Sequence, residues 1–458
     1  MQRLVYEAAV RTGWEASRRP ATTWASEAAR LNQWIPQADL TLNAWLPTVL
    51  PRASLPLGIP DANSTKLIAD FARAIVSSEC VTLPQQGGRV ESFSEIFADH
   101  NASPHWTRVH EFADRRKDIR TEWEAARLGW AWALGRAAAL TKDSSLADAT
   151  WRLAQRWIDA NPPMRGPHWH SGQEAALRLV ALGWAAVATA GRTSTPGQPR
   201  TLALFAAVAA ERVAARIEYA ESQYNNHSLT EALGLLWGAA LVPRHPDAQR
   251  WRRIATRVLR RELGRQVFTD GSFVQESIVY ERLALEACLT VLWLDRSAGG
   301  ALLDAQTRAV VTHKAGAMRD YLARMTDPTT NLFSRLGAND GTWLLMPVED
   351  DFWDARPTRA VAESVLGPSP DTAPPTPTGL TWSHAADGAF TVLKGGRPGR
   401  RPTEADALHV EHRVNGVEVL RDAGSFRYIG PAGLDAWFRS AQAHNTVVVN
   451  GQEPLTKL

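Results

Sequence analysis

The sequence predicts a multidomain α and β protein, an incomplete (α/α) toroid of helical hairpins followed by an antiparallel β-sandwich. Three observations carry that expectation. Ala/Leu-rich stretches keep helical periodicity over most of the chain, with only short turns between them. Residues 367–379 then place five prolines in thirteen positions, which no helix accommodates. Beyond them the apolar period drops to two, between Gly-rich turns.

Residues 1–95 mix short helical patterns with joints such as Leu46-Pro47 and Leu50-Pro51. The long helices are then expected at Thr121–Leu140, Ser145–Ile158, Ser171–Ala190, Leu202–Glu218, His227–Val242, Asp247–Gln266, Glu276–Leu294 and Leu302–Thr326. Asn161-Pro162-Pro163, Gly191–Gly197, Tyr224-Asn225-Asn226, Pro243–Pro246 and Asp270-Gly271 separate them. Stacked hairpins of this kind close into a toroid or stay open as a solenoid, and the lack of an evident sequence repeat favours the toroid. The chain therefore divides into an N-terminal segment 1–95, a toroid 96–350, a Pro-rich linker 351–380 and a β domain 381–458. In the last, Ala389–Leu393, Ala407–Glu411, Gly416–Arg421 and Asn445–Asn450 are the expected strands. A sandwich takes roughly 100 residues, so the β domain is expected to be partial.

Composition narrows the function. With 458 residues, 45% hydrophobic and 22% charged, the chain is neither collagen-like nor disordered nor a disulfide scaffold. Cys80 and Cys288 match no metal or redox spacing. A net charge of +3 is too weak to argue for nucleic acid. Six Lys leave 45 Arg among the 51 basic residues; a guanidinium fork suits carboxylates and sulfates, and a genomic GC bias gives the same excess. The 19 Trp suit sugar stacking and core filling alike. No apolar run reaches the roughly 18 residues of a membrane span. Met1–Glu7 carries no signal-peptide pattern, so the expected location is cytoplasmic, or periplasmic or secreted if a leader is missing.

The chemistry-bearing strings are Trp169-His170-Ser171-Gly172-Gln173-Glu174, Tyr224-Asn225-Asn226-His227-Ser228, and Asp270-Gly271 through Tyr280-Glu281-Arg282. Glu404-Ala405-Asp406, Asp422-Ala423-Gly424 and Ala443-His444-Asn445-Thr446 follow in the β part. Asn225 and Asn226 are favoured helix caps, with Ser228-x-x-Glu231 as a capping box. Tyr280, four positions after Glu276, has the spacing of a packing residue on the same face, and Glu276 and Arg282 read as a plausible surface pair. Asn339-Asp340-Gly341 is a turn signal.

Together these strings resemble the heparinase II/III family of polysaccharide lyases, relatives of alginate lyases, from about residue 105 to the C-terminus. The resemblance implies β-elimination on an anionic, uronate-containing polysaccharide, with no cofactor required. That reaction needs a group to neutralise the carboxylate, a base for the C5 proton and an acid for the departing O4. By the resemblance Asn226 neutralises the carboxylate, while His227 and Tyr280 handle the protons. Asn225, Trp169, Gln173, Glu276, Arg282, Asn339 and His409 are its substrate-binding candidates, and Glu174 and Arg178 its scaffold. Some members hold a structural zinc, here implied at Glu404, Asp422 and His444. Glu404 stands where relatives carry His, which argues against the metal. Two rival readings remain: an inverting glycoside hydrolase using Glu276 and Asp340, and a catalytically inactive saccharide-binding relative.

Overall fold

The computed structural model describes residues 2–56, 62–83, 89–109, 118–345, 351–369, 381–386, 388–395, 404–425 and 433–453. Among them the long helices form two layers. Gly129–Thr141, Gly172–Thr189, His227–Leu241 and Ile278–Ser297 pack side by side as an inner layer. Every residue of Gly172–Thr189 is buried, as is every residue of His227–Leu241 except His227. Such helices are apolar all round because they have no solvent face. Where they touch, small residues replace large ones: a Cβ on Gly183 would lie 2.6 Å from Trp237, and one on Gly234 2.6 Å from Ala176.

Ser144–Ala160, Gln198–Ala214, Ala248–Gln266 and Ala305–Arg324 form the outer layer, each packed on the inner helix before it. Ala248–Gln266 shows the reason. It buries Trp251, Ala255, Val258, Leu259 and Leu263 and turns its arginines outward. Ala62–Ser78 packs on Gly129–Thr141, and Arg356–Leu366 on Ile278–Ser297. No helix among the described residues is long and apolar enough to cross a membrane.

Most expected helix bounds shift by one to four residues, and three of the expected helices differ in more than that. Thr121–Leu140 is two helices, Ile119–Ala125 and Gly129–Thr141, because Leu128 adopts a left-handed backbone (φ 62°). Leu202–Glu218 stops at Ala214, and Ile217–Gln223 follows as a separate helix. Glu276 lies outside the next helix, with φ 52°; Ser277 caps it by accepting from the Tyr280 N–H, and the helix runs Ile278–Ser297. Glu276 and Tyr280 therefore share no helix face.

Two strand features went unforeseen. Cys80–Leu83 (β1) and Arg89–Ser92 (β2) form an antiparallel hairpin within the N-terminal segment. In the C-terminal part, Thr381–Ala386 (β3), Ala389–Lys394 (β4), Val410–Val414 (β5) and Val417–Leu420 (β6) form one antiparallel sheet in the order β3-β4-β5-β6. β3 was not expected. The strand expected at Ala407–Glu411 starts at Val410, because Leu408 turns the chain with φ 68°.

Asn445–Asn450 is a correction, since it forms no strand. Among the described residues it meets the sheet at its start, where the Val410 N–H donates to the Asn445 carbonyl. Val447, Val448 and Val449 lie exposed with no strand beside them among the described residues. Alternating apolar residues alone do not make a strand without a ladder partner. Nor do the described residues include a second sheet facing this one. The expected linker 351–380 is a correction in its first part, since Arg356–Leu366 is a helix packed on Ile278–Ser297, while residues 370–380 lie outside the described residues.

Candidate active site

Among the described residues an open cleft of about 1610 Å³ draws its walls from distant parts of the chain. The helix Gln2–Arg11 supplies Tyr6, which stacks on Tyr219 with ring centroids 3.9 Å apart. The first turns of two inner helices supply Gln173, Glu174, His227 and Glu231. Asp340 comes from the expected Asn339-Asp340-Gly341 turn, and Asp435 and Arg439 from the short helix Leu434–Arg439. Five arginines, at 120, 127, 212, 216 and 439, face the cleft together with four carboxyl groups, at 174, 231, 340 and 435.

A network of three amides lies at the edge of this cleft. Asn226, only 2% exposed, occupies the N-cap place of His227–Leu241 without capping it, and its backbone is already helical. Its Oδ1 accepts from Gln173 Nε2 at 2.5 Å, and its Nδ2 donates to Gln275 Oε1 at 2.9 Å. The Asn226 backbone N–H also donates to Gln275 Oε1, at 2.8 Å. That backbone donor fixes all three amides: Gln275 must present oxygen, Asn226 must then present nitrogen to it, and Gln173 must donate. Asn225 does the local work instead, its Oδ1 accepting from the His227 N–H at 3.1 Å.

Glu231, one turn after His227 on the same face, is not a capping-box partner. It is buried beneath Gly172, where a Cβ would lie 2.7 Å from its carboxylate. The Gln173 backbone N–H donates to it, yet burial pushes its carboxyl up to about 8, so it is protonated at neutral pH.

Other expected residues stand elsewhere. Trp169 is no subsite wall: it is 1% exposed and packs near Trp24 and Phe205, and its carbonyl anchors Arg212. Arg282 is neither a surface partner of Glu276 nor a cleft residue. Its guanidinium lies 4.3 Å from the Phe352 ring and 4.4 Å from that of Trp343. Glu276 faces Lys394, with Oε2 3.8 Å from Nζ. Tyr280, 7% exposed, is not among the residues lining the cleft. Asn339 holds the turn, its side chain accepting from the Gly341 N–H and its backbone exchanging hydrogen bonds with Ser425. Arg178 is a buried hydrogen-bonder, donating to the carbonyls of Ala126 and His168.

A second polar cluster lies beside the C-terminal sheet. His409, Asp422 and His444 bring ligand atoms within 4.8 Å of one another, as do Glu404, Asp406 and Asp422, and all are buried. His409 is 0% exposed and thus no cleft residue; its Nδ1 accepts from the Asn445 N–H. Among the described residues its Nε2, both ring nitrogens of His444 and both Glu404 oxygens make no hydrogen bond. His444 Nδ1 lies 3.4 Å from Asp422 Oδ1. Burial disfavours charge on His444, but Asp422 beside it holds the imidazole above its ordinary value. Burial, with Asp422 and Asp406 nearby, lifts Glu404 to about 8.

Sequence reasoning passed over Gln275, His409 as a possible ligand, and Arg439. Gln275 and Glu231 were visible inside motif strings, whereas nothing local marks Arg439 as facing a cleft.

Residues 85–328 match the heparinase II/III N-terminus and residues 371–457 the heparinase II/III-like C-terminal region. The first match alone covers more than half of the chain, which belongs to the heparinase II/III family. The chain is 24% identical over 248 residues to the heparin-sulfate lyase of Pedobacter heparinus, a match spanning 51% of this chain and 37% of that protein. A crystal structure of heparinase III aligns with a TM-score of 0.55 at 14% identity, over 98% of this chain and 70% of that one, a likeness of fold.

Proposed function

We propose that this protein is a polysaccharide lyase that cleaves a uronate-containing glycosaminoglycan by β-elimination. The observation that carries the reading is the oriented amide network beside His227 on an arginine-lined cleft. The C5 proton of a uronate is weakly acidic while the carboxylate keeps its charge. Asn226, with its amide orientation fixed in advance, donates to the carboxylate as charge flows into it, so little reorganisation is spent at that moment. His227, at the helix N-terminus, takes the C5 proton. Tyr280, five residues after Gln275, returns a proton to the departing O4. Elimination leaves a C4=C5 double bond in the new non-reducing sugar.

The family resemblance supports this over the hydrolase reading, whose carboxylate pair is also poorly placed. Asp340 lines the cleft, while Glu276 faces Lys394. The deciding experiment incubates the protein with a panel of uronic-acid polymers and follows the ultraviolet absorbance of the conjugated product. Absorbance growing with chain cleavage supports the lyase. New reducing ends without it would mean hydrolysis, and binding without cleavage an inactive relative.

The donor set of His409, Asp422 and His444 fits a divalent cation such as zinc, His409 supplying the imidazole that Glu404 does not. Among the described residues His409 Nε2 and both His444 ring nitrogens make no hydrogen bond, and Glu404 belongs to the adjoining carboxylate group with Asp406 and Asp422. Bound there, the ion would act as a structural tie between β5 and the His444 segment. The expected result is about one zinc per chain after dialysis, with the metal lost and the thermal midpoint lowered in His409→Ala. A metal-free protein of unchanged stability would mean that Glu404 is simply protonated in place.

A further inference from the structure

We propose that Arg439, carried by the C-terminal segment, is an anion-binding subsite of the cleft and contributes to the protein's choice of substrate; this rests on the lyase reading above. The cleft's other arginines are committed to the protein itself. Arg127 forks onto Glu174, with Nε at 3.1 Å from both oxygens and Nη2 at 2.7 Å from Oε1. Arg216 pairs with the buried Glu15. Arg212 donates to the carbonyls of Trp169 and His170 at 2.9 and 2.6 Å, and Arg120 to that of Asn339 at 3.2 Å. These four hold walls together, and their charge is already answered or directed into backbone.

Arg439 differs. It lines the cleft half-buried, and its guanidinium makes no hydrogen bond or ion pair among the described residues. A cation at the last position of a helix is favoured by the helix dipole, which would account for an Arg here pointing to water. This one is instead turned to a cleft and anchored. The Ala405 N–H donates to its carbonyl at 2.8 Å, tying its backbone to the Glu404–Asp406 turn, and the next helical turn is held by Glu453 accepting from the Ala441 N–H. A planar fork on a fixed backbone, without a partner among the described residues, is pre-organised for a carboxylate or a sulfate. Asp435, one turn earlier on the same helix, also lines the cleft without an ion pair among the described residues and offers an acceptor for sugar hydroxyls. Together they suit a chain whose units alternate hydroxyl and anionic groups.

The experiment compares wild type, Arg439→Ala and Arg439→Lys on an unsulfated uronate polymer and on its N- and O-sulfated counterpart. Arg439→Ala should raise KM about tenfold to a hundredfold while kcat stays within a fewfold, and Lys should restore part of the loss, as a point charge without the fork. An equal effect on both polymers assigns the anion as the uronate carboxylate; an effect confined to the sulfated one assigns sulfate. Unchanged KM on both polymers overturns the proposal. If wild type cleaves neither polymer, the lyase reading fails by itself. Calorimetric binding of an octasaccharide from each polymer then judges Arg439: weaker binding by Arg439→Ala supports the subsite, whereas equal binding, or none by wild type, overturns it.

Discussion

Asn226→Asp is expected to lower turnover of a uronate polymer by about 10²–10³-fold, the usual cost of losing one pre-organised donor at a developing charge. The substitution keeps the shape of the side chain. An aspartate can still accept from Gln173, so that arm of the network survives. The other arm reverses: two acceptors, the new carboxylate and Gln275 Oε1, then face each other. Gln275 cannot flip to relieve them without giving up the Asn226 backbone N–H. The substrate would also meet a negative charge where it needs a donor. The folded protein should lose far less, about 1–3 kcal/mol for the unsatisfied buried group. Measuring kcat beside a thermal midpoint separates the two effects. A variant that turns over within a fewfold of wild type would remove Asn226 from the mechanism.

Tyr280→Phe is expected to cut turnover by about 10²–10⁴-fold while leaving the fold intact. The ring fills its place in the first turn of Ile278–Ser297, and the variant keeps it. If the hydroxyl had only a structural role, its removal would cost about 1 kcal/mol of stability and leave kcat unchanged. The pH profile adds an independent readout, because loss of the proton carrier should remove or shift one limb. Near-full activity at every pH would mean that Tyr280 packs and does nothing else, as its low exposure and its absence from the cleft lining also allow.

The helical body and the sheet beyond it could be read from periodicity, because inner helices with no solvent face and outer helices with one face leave different patterns. What failed was local pattern carried past a break. The helical period ran back from Tyr280 to Glu276, but the positive φ at Glu276 lies just outside the helix and turned that carboxylate toward Lys394. At Asn226 the sequence offered a cap, and the position is indeed the N-cap, yet the side chain serves residues 53 and 49 positions away. Only the tertiary fold joins those three amides. Arg439 is the extreme case, since its setting depends on a cleft assembled from helices hundreds of residues earlier. The His409 error ran the other way. The family resemblance suggested a cleft-facing ring, but the chain turns at Leu408 and the ring lies buried against Asp422 and His444.

The contact between Gly172 and Glu231 makes two distant positions a single evolutionary unit. The carboxyl occupies the volume that any side chain at 172 would claim, so neither position is free to drift alone. Enlarging residue 172 first expels the carboxyl from beneath the Gln173 N–H, and the first turns of two inner helices lose their common filler at the cleft. Shortening residue 231 first leaves a void and an unmet amide. A lineage could cross between the two arrangements only by a paired exchange, and a chain that had made it would carry no protonatable group one turn below its imidazole.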